Sequence, residues 1–155
     1  MGTRPTIDEY FMQIAIDTGK RSSCCSDAKG ALIVVDGHIV STGYNGAPHG
    51  VPNCKYDVGI CHKRKLGYGH GEGHENCLAV HAEANAIVIA AKLGIRTAGG
   101  VMYCTYRPCN ECAKLIINAG IKKVVFLNEY PSTMSKALFT AAGVECVQFT
   151  GNVRM

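Results

Sequence analysis

The sequence has no tryptophan, and seven Tyr and four Phe make an aromatic share of only 7%. It also lacks any apolar run near the ~20 residues that a membrane-spanning helix needs, which argues against a membrane protein. Residues Met1 to Glu9 are polar and show none of the apolar stretch of an export signal, so the expected location is cytoplasmic. Charge is sparse: charged residues are 18% and the net charge is +4. That small excess suits an anionic small ligand and argues against a nucleic-acid coat. What the chain does have is apolar mass. Hydrophobic residues are 47% of 155, enough to bury a real core, and the length predicts one domain over 1–155.

The nine cysteines are an odd count in a chain that shows no export signal. A disulfide framework is the wrong reading there, and clustered Cys and His point to metal. Five of the six His lie between His49 and His81, and Cys54, Cys61 and Cys77 share that window.

Thr6 and Glu9 are spaced as a capping box and predict a helix that carries Tyr10, Phe11, Ile14 and Thr18 on one side and ends near Gly19. Ala31–Val35 and His38–Thr42 read as strands joined by Asp36-Gly37, a strong hairpin signal. The stretch from Gly43 to Gly73 holds eight of the 18 glycines, carries Lys63-Arg64-Lys65 and has no periodicity. So long a structureless stretch inside a compact domain is usually functional or tied down by metal. From His81 onward the pattern is regular. Helices are predicted at His81–Leu93, Cys109–Ala119 and Ser132–Ala142, with strands at Val101–Thr105, Lys123–Leu127 and Glu145–Phe149. Alternating helices and short apolar strands imply parallel pairing, and the hairpin adds an antiparallel pair. The expected fold is α/β, a three-layer α/β/α sandwich around a mixed five-stranded sheet. Cys104 and Cys146 fall on apolar strands and read as core thiols.

The chemistry sits at two helix starts. His81-Ala82-Glu83 opens one helix, and Pro108-Cys109-Asn110-Glu111-Cys112 opens another. Their combination resembles the signature of zinc nucleobase deaminases. Cys109 and Cys112 are three apart, which puts both sulfurs on one side of a helical turn. The positive end of the helix dipole helps to hold thiolates. His81, Cys109 and Cys112 make three protein ligands and leave one position of a tetrahedral zinc for water, as in a catalytic site. Glu83 is placed to reach that water as the proton shuttle. A lone Cys-x-x-Cys is often redox-active or structural; the two motifs together point to catalysis.

These motifs, with Gly43-Tyr44-Asn45-Gly46, the Cys-bearing insert at about 43–77 and Ala119-Gly120-Ile121-Lys122-Lys123-Val124, resemble the deoxycytidylate (dCMP) deaminase family. The resemblance runs from about Tyr10 to Val147. It implies hydrolysis of dCMP to dUMP and ammonia, which feeds thymidylate synthesis. It implies that Glu83 serves the attacking water, N3 and the leaving amine, that Asn45 bonds the sugar and that Tyr130 sits beside the nucleotide. Arg107 departs from the small or aromatic residue that many members carry there; it either binds the phosphate, alters the substrate choice or is a solvated arginine. Cys24, Cys54, His74 and Cys77 fall where relatives place a second, structural zinc, with Cys25, Cys61, His62 and His70 as competing candidates. The family also implies a homohexamer, activated by dCTP with magnesium and inhibited by dTTP. The effector would bind near Tyr44 and Gly46, with Lys92 contributing charge. Other readings are a different cytosine or nucleoside deaminase of the same fold, or a non-catalytic zinc scaffold.

Overall fold

The structure, a computed structural model, describes residues 4–69 and 72–154. His70, one of the competing metal candidates, lies outside the described residues. Helix α1 (Ile7–Gly19) starts from the expected capping box: the Thr6 hydroxyl accepts from Glu9 N, and the Glu9 carboxylate accepts from Thr6 N. Its buried side is Phe11, Met12, Ala15 and Gly19 rather than the stripe through Tyr10, which is half exposed. Strands β1 (Gly30–Val35) and β2 (His38–Tyr44) form the predicted hairpin. Asp36 and Gly37 turn it with φ of 50° and 78°, the paired positive values that suit two-residue hairpins.

The insert is less structureless than its composition suggests. β2 runs on through Tyr44, and three short helical turns follow, a π turn at Cys54–Val58, α2 (His62–Lys65) and a 3-10 turn at His74–Asn76. Beyond it lie α3 (Ala82–Lys92), β3 (Val101–Tyr106), α4 (Asn110–Asn118), β4 (Lys123–Asn128), α5 (Thr133–Ala142) and β5 (Glu145–Gln148). Each predicted element is present, with ends shifted by a residue or two.

The sheet has the order β2-β1-β3-β4-β5. β1 is antiparallel to both neighbours, and β3, β4 and β5 run parallel. Alternation along the strands divides the core. Leu32, Val34, Tyr103 and Val125 face α1, where Phe11, Met12 and Ala15 pack. Ala31, Ile33, Met102, Cys104, Val124 and Phe126 face the other side, covered by α3, α4 and α5 through Ala86, Ile116 and Phe139. This is the expected α/β/α sandwich. Cys104 is buried as expected, whereas Cys146, on the edge strand β5, is half-buried; its partial desolvation pushes the thiol pKa up to about 11. Among the described residues no helix is long and apolar enough to cross a membrane.

Candidate active site

Two helix starts meet beyond the ends of β1 and β3. What brings α3 there is a glycine. A Cβ on Gly43 would stand 2.2 Å from Ala82 O and 2.5 Å from Ala86 N, so only glycine lets β2 and α3 come this close. Ser41 Oγ donates to Ala86 O at 2.6 Å, and Asn85 Nδ2 donates to Tyr44 O at 2.8 Å, pinning the helix to the strand. His81 and Cys109 are the N-caps of α3 and α4.

His81 Nδ1 lies 3.4 Å from Cys109 Sγ and 3.5 Å from Cys112 Sγ. Among the described residues this is the one group whose donor atoms fall within 4.8 Å of one another. Zinc bonds of about 2.3 Å to sulfur and about 2.0–2.1 Å to nitrogen, at tetrahedral angles, put nitrogen and sulfur about 3.5 Å apart, so the three residues fit zinc. The Cys109 thiol is held far below its usual range, first by the hydrogen bond from Cys112 and then by His81. The Cys112 thiol is shifted the other way, upward, by its hydrogen bond to Cys109 and by burial. His81 is raised, chiefly by its hydrogen bond to Cys109. A metal ion would displace the proton on Cys112, since thiolates are the ligands.

Glu83 stands two residues along α3 and is 7% exposed. Burial raises its pKa, against weaker opposing effects of a backbone N–H, His81 and Lys29. A carboxyl shifted upward holds its proton more readily than an exposed one, which suits a group that must both take up and give up a proton.

Asn45, Arg107 and Tyr130 line the same cavity as His81, Glu83 and Cys109. Asn45 is buried and turned toward its own chain: Oδ1 accepts from Lys29 N at 2.9 Å, and Nδ2 donates to Asp27 O at 3.0 Å. Arg107 is 5% exposed, which rules out the solvated reading. Its guanidinium is taken up by Glu129, Tyr130, Ser132 and Ser135.

Of the residues expected to hold a second zinc, Cys24, His74 and Cys77 reach the cavity wall, together with Cys61. Cys54 is buried nearby: Cys54, Cys24 and Cys61 add to the burial that raises the Cys25 thiol. The donors of Cys24, Cys54, His74 and Cys77 are not drawn to metal-binding distance. Tyr44 lines a separate cleft with Lys20, Arg21, Ser23, Asn53 and Tyr56. Gly46 pairs with Val80 in an isolated bridge, and Lys92 is exposed in the last turn of α3; neither lines that cleft. The sequence reading missed Lys29 and Tyr106 on the cavity wall. No spacing rule marks a lysine that reaches the site only through strand order.

The family model for the cytidine and deoxycytidylate deaminase zinc-binding region matches residues 5–128. The chain belongs to that family. It is 39% identical over 132 residues to a deoxycytidylate deaminase of Mycobacterium phage D29, with 82% of this chain and 98% of that protein covered. It is 35% identical over 147 residues to the deoxycytidylate deaminase of Schizosaccharomyces pombe, covering 94% of this chain but 45% of the longer yeast protein. The crystal structure of dCMP deaminase from the cyanophage S-TIM5, in complex with dCMP and dUMP, superposes with a TM-score of 0.75 at 31% identity, covering 96% of this chain and all of that one.

Proposed function

We propose that this protein deaminates dCMP hydrolytically to dUMP and ammonia. The observation that carries the reading is the buried Glu83 carboxyl in one cavity with a zinc-fitting His81, Cys109 and Cys112. His81, Cys109 and Cys112 would hold a zinc ion, whose Lewis acidity would lower the pKa of a water from 15.7 toward about 7. Glu83 accepts a proton from the attacking water and passes it to N3 of the pyrimidine as the C4–O bond forms. It then carries the second proton of that water to the exocyclic amine, which leaves as ammonia when the C4–N bond breaks. Tyr130 would flank the nucleotide, and Asn45 would shape the sugar site through the 27–29 segment it holds. Ammonia release measured in parallel on dCMP, deoxycytidine, cytosine and dCTP tests the reading: dCMP is expected to be turned over best. Preference for another substrate in that set would overturn it.

Three further parts of the reading are proposals of the same standing. A structural zinc would draw Cys24, Cys54, His74 and Cys77 together, with Cys61 as the competing donor; the clustering of these thiols beside the cavity supports it. An anionic effector such as dCTP with magnesium, or dTTP, would enter the cleft of Lys20, Arg21 and Tyr44, where two basic side chains meet an aromatic ring. The working form would be a homohexamer in the cytoplasm; Val88, Ile89 and Leu93 leave an exposed apolar strip on α3 that suits subunit packing.

A further inference from the structure

Lys29 carries a charge on the wall of the catalytic cavity that the deamination chemistry does not use. Its Nζ lies 4.9 Å from the centroid of the Tyr106 ring and 5.6 Å from that of Tyr130. Both distances are in the range where an aromatic face attracts a cation. The two rings reach it from different elements: Tyr106 ends β3, and Tyr130 follows β4. The lysine backbone is clamped as well. Lys29 N donates to Asn45 Oδ1 at 2.9 Å, and Lys29 O accepts from Asn45 N at 3.2 Å. The next residue is held by Gly30 N donating to Thr105 Oγ1 at 3.1 Å. Arg107 secures the Tyr130 side by donating from Nη2 to Tyr130 O.

The other cations at this wall are placed differently. The guanidinium of Arg107 is taken up by the 129–135 segment. Lys63 Nζ donates to Glu72 O at 2.7 Å and Gly69 O at 3.4 Å. Arg64 belongs to a single exposed helical turn. Among the described residues Lys29 Nζ has no carboxylate or carbonyl partner; the two rings hold it without neutralising it. An ammonium so held keeps its donors for an oxyanion, at little ordering cost when one arrives.

We propose that Lys29 reads the 5′-phosphate of the substrate and so selects a nucleotide over a nucleoside. Arg107 and Asn45 act as positioning residues that keep the lysine and Tyr130 in place. The assignment rests on the reading of this cavity as a dCMP deaminase site.

Steady-state kinetics on dCMP and deoxycytidine, for the parent protein, Lys29→Gln and Lys29→Arg, test it. Loss of one charged hydrogen bond predicts a KM for dCMP raised about 10- to 100-fold in Lys29→Gln. The loss in kcat/KM should be at least about tenfold larger on dCMP than on deoxycytidine, and Lys29→Arg should recover most of the KM. A parental KM for dCMP in Lys29→Gln, or an equal loss on both substrates, overturns the role of Lys29. A parent protein with no activity on dCMP overturns the functional reading itself, and the two failures are told apart by that control.

Discussion

Arg107 Nε donates to Glu129 Oε2 at 2.7 Å, joining the end of β3 to the loop after β4. The same guanidinium donates from Nη1 to Ser132 O at 2.6 Å and to Ser135 Oγ at 3.3 Å. Ser132 Oγ donates in turn to Asn110 Oδ1, in the first turn of α4. One buried side chain therefore braces the loop that carries Tyr130 and, through Ser132, the helix that presents Cys112. Of the roles open to Arg107 in the sequence, this geometry supports an indirect effect on the substrate site.

Arg107→Met should lower stability by about 2–4 kcal/mol, because the carbonyls of Tyr130 and Ser132 lose a charged donor while buried or nearly so. Glu129→Gln should cost under about 1 kcal/mol, since that carboxylate is half exposed. Thermal or urea denaturation of both variants measures the difference. Equal costs would show that the brace acts through the ion pair alone.

Glu83→Gln should lower turnover by at least about 10²- to 10⁴-fold while zinc content stays at the parental level, because Glu83 serves the proton and not the metal. Metal analysis beside an ammonia-release assay checks it. Loss of the active-site zinc in that variant would contradict the role given to Glu83.

Metal analysis of the fresh, unchelated parent should find two zinc ions per chain. His81→Ala and Cys109→Ala should each remove one of them together with all activity. A stoichiometry of one in the parent removes the structural site from the account and leaves the catalytic one.

Cys54→Ser and Cys112→Ser should fail in different ways. The Cys112 change should abolish activity and leave the hairpin and insert resistant to protease, since α4 is also held by Ala113 and Ile116. The Cys54 change should loosen the insert, whose long loop has few apolar residues to close it without metal. Limited proteolysis should then cut near Lys63-Arg64-Lys65 before anywhere else. Parental zinc content and protease resistance in Cys54→Ser would exclude Cys54 as a ligand and turn attention to Cys61.

Glu9 predicts an acid-sensitive clamp. Its carboxylate accepts from Asn152 N at 2.9 Å and from Thr6 N at 2.8 Å, and these bonds, Asn152 first, hold its pKa below the ordinary value. The unfolded chain therefore binds that proton more readily than the folded one. The stabilisation is complete above the ordinary carboxylate range and disappears as the pH falls through the lowered value. Melting temperatures of the parent and Glu9→Gln should differ at pH 7 and converge at strongly acid pH. A difference that does not change with pH would assign the effect to packing.

The sequence by itself determined the elements and the cluster of His81, Cys109 and Cys112. The capping box at Thr6 and Glu9, the turn at Asp36-Gly37 and the glycines that end α3, α4 and α5 act over a few residues, so local chemistry sufficed to read them. The same holds for His81, Glu83, Cys109 and Cys112, whose spacing places them on helix starts. The buried side of α1 was not legible: Tyr10 is as apolar in pattern as Phe11, and only the position of the sheet decides which of them is covered. Nor were Lys29 and Tyr106 legible as parts of the cavity wall, although the family resemblance named Tyr130. Lys29, Tyr106 and Tyr130 stand far apart in the chain, and they meet because β1 and β4 flank β3 with their site-forming ends on the same side. Strand order follows from burying two faces of one sheet at once, a balance summed over the whole chain, and no local signal in the sequence carries it.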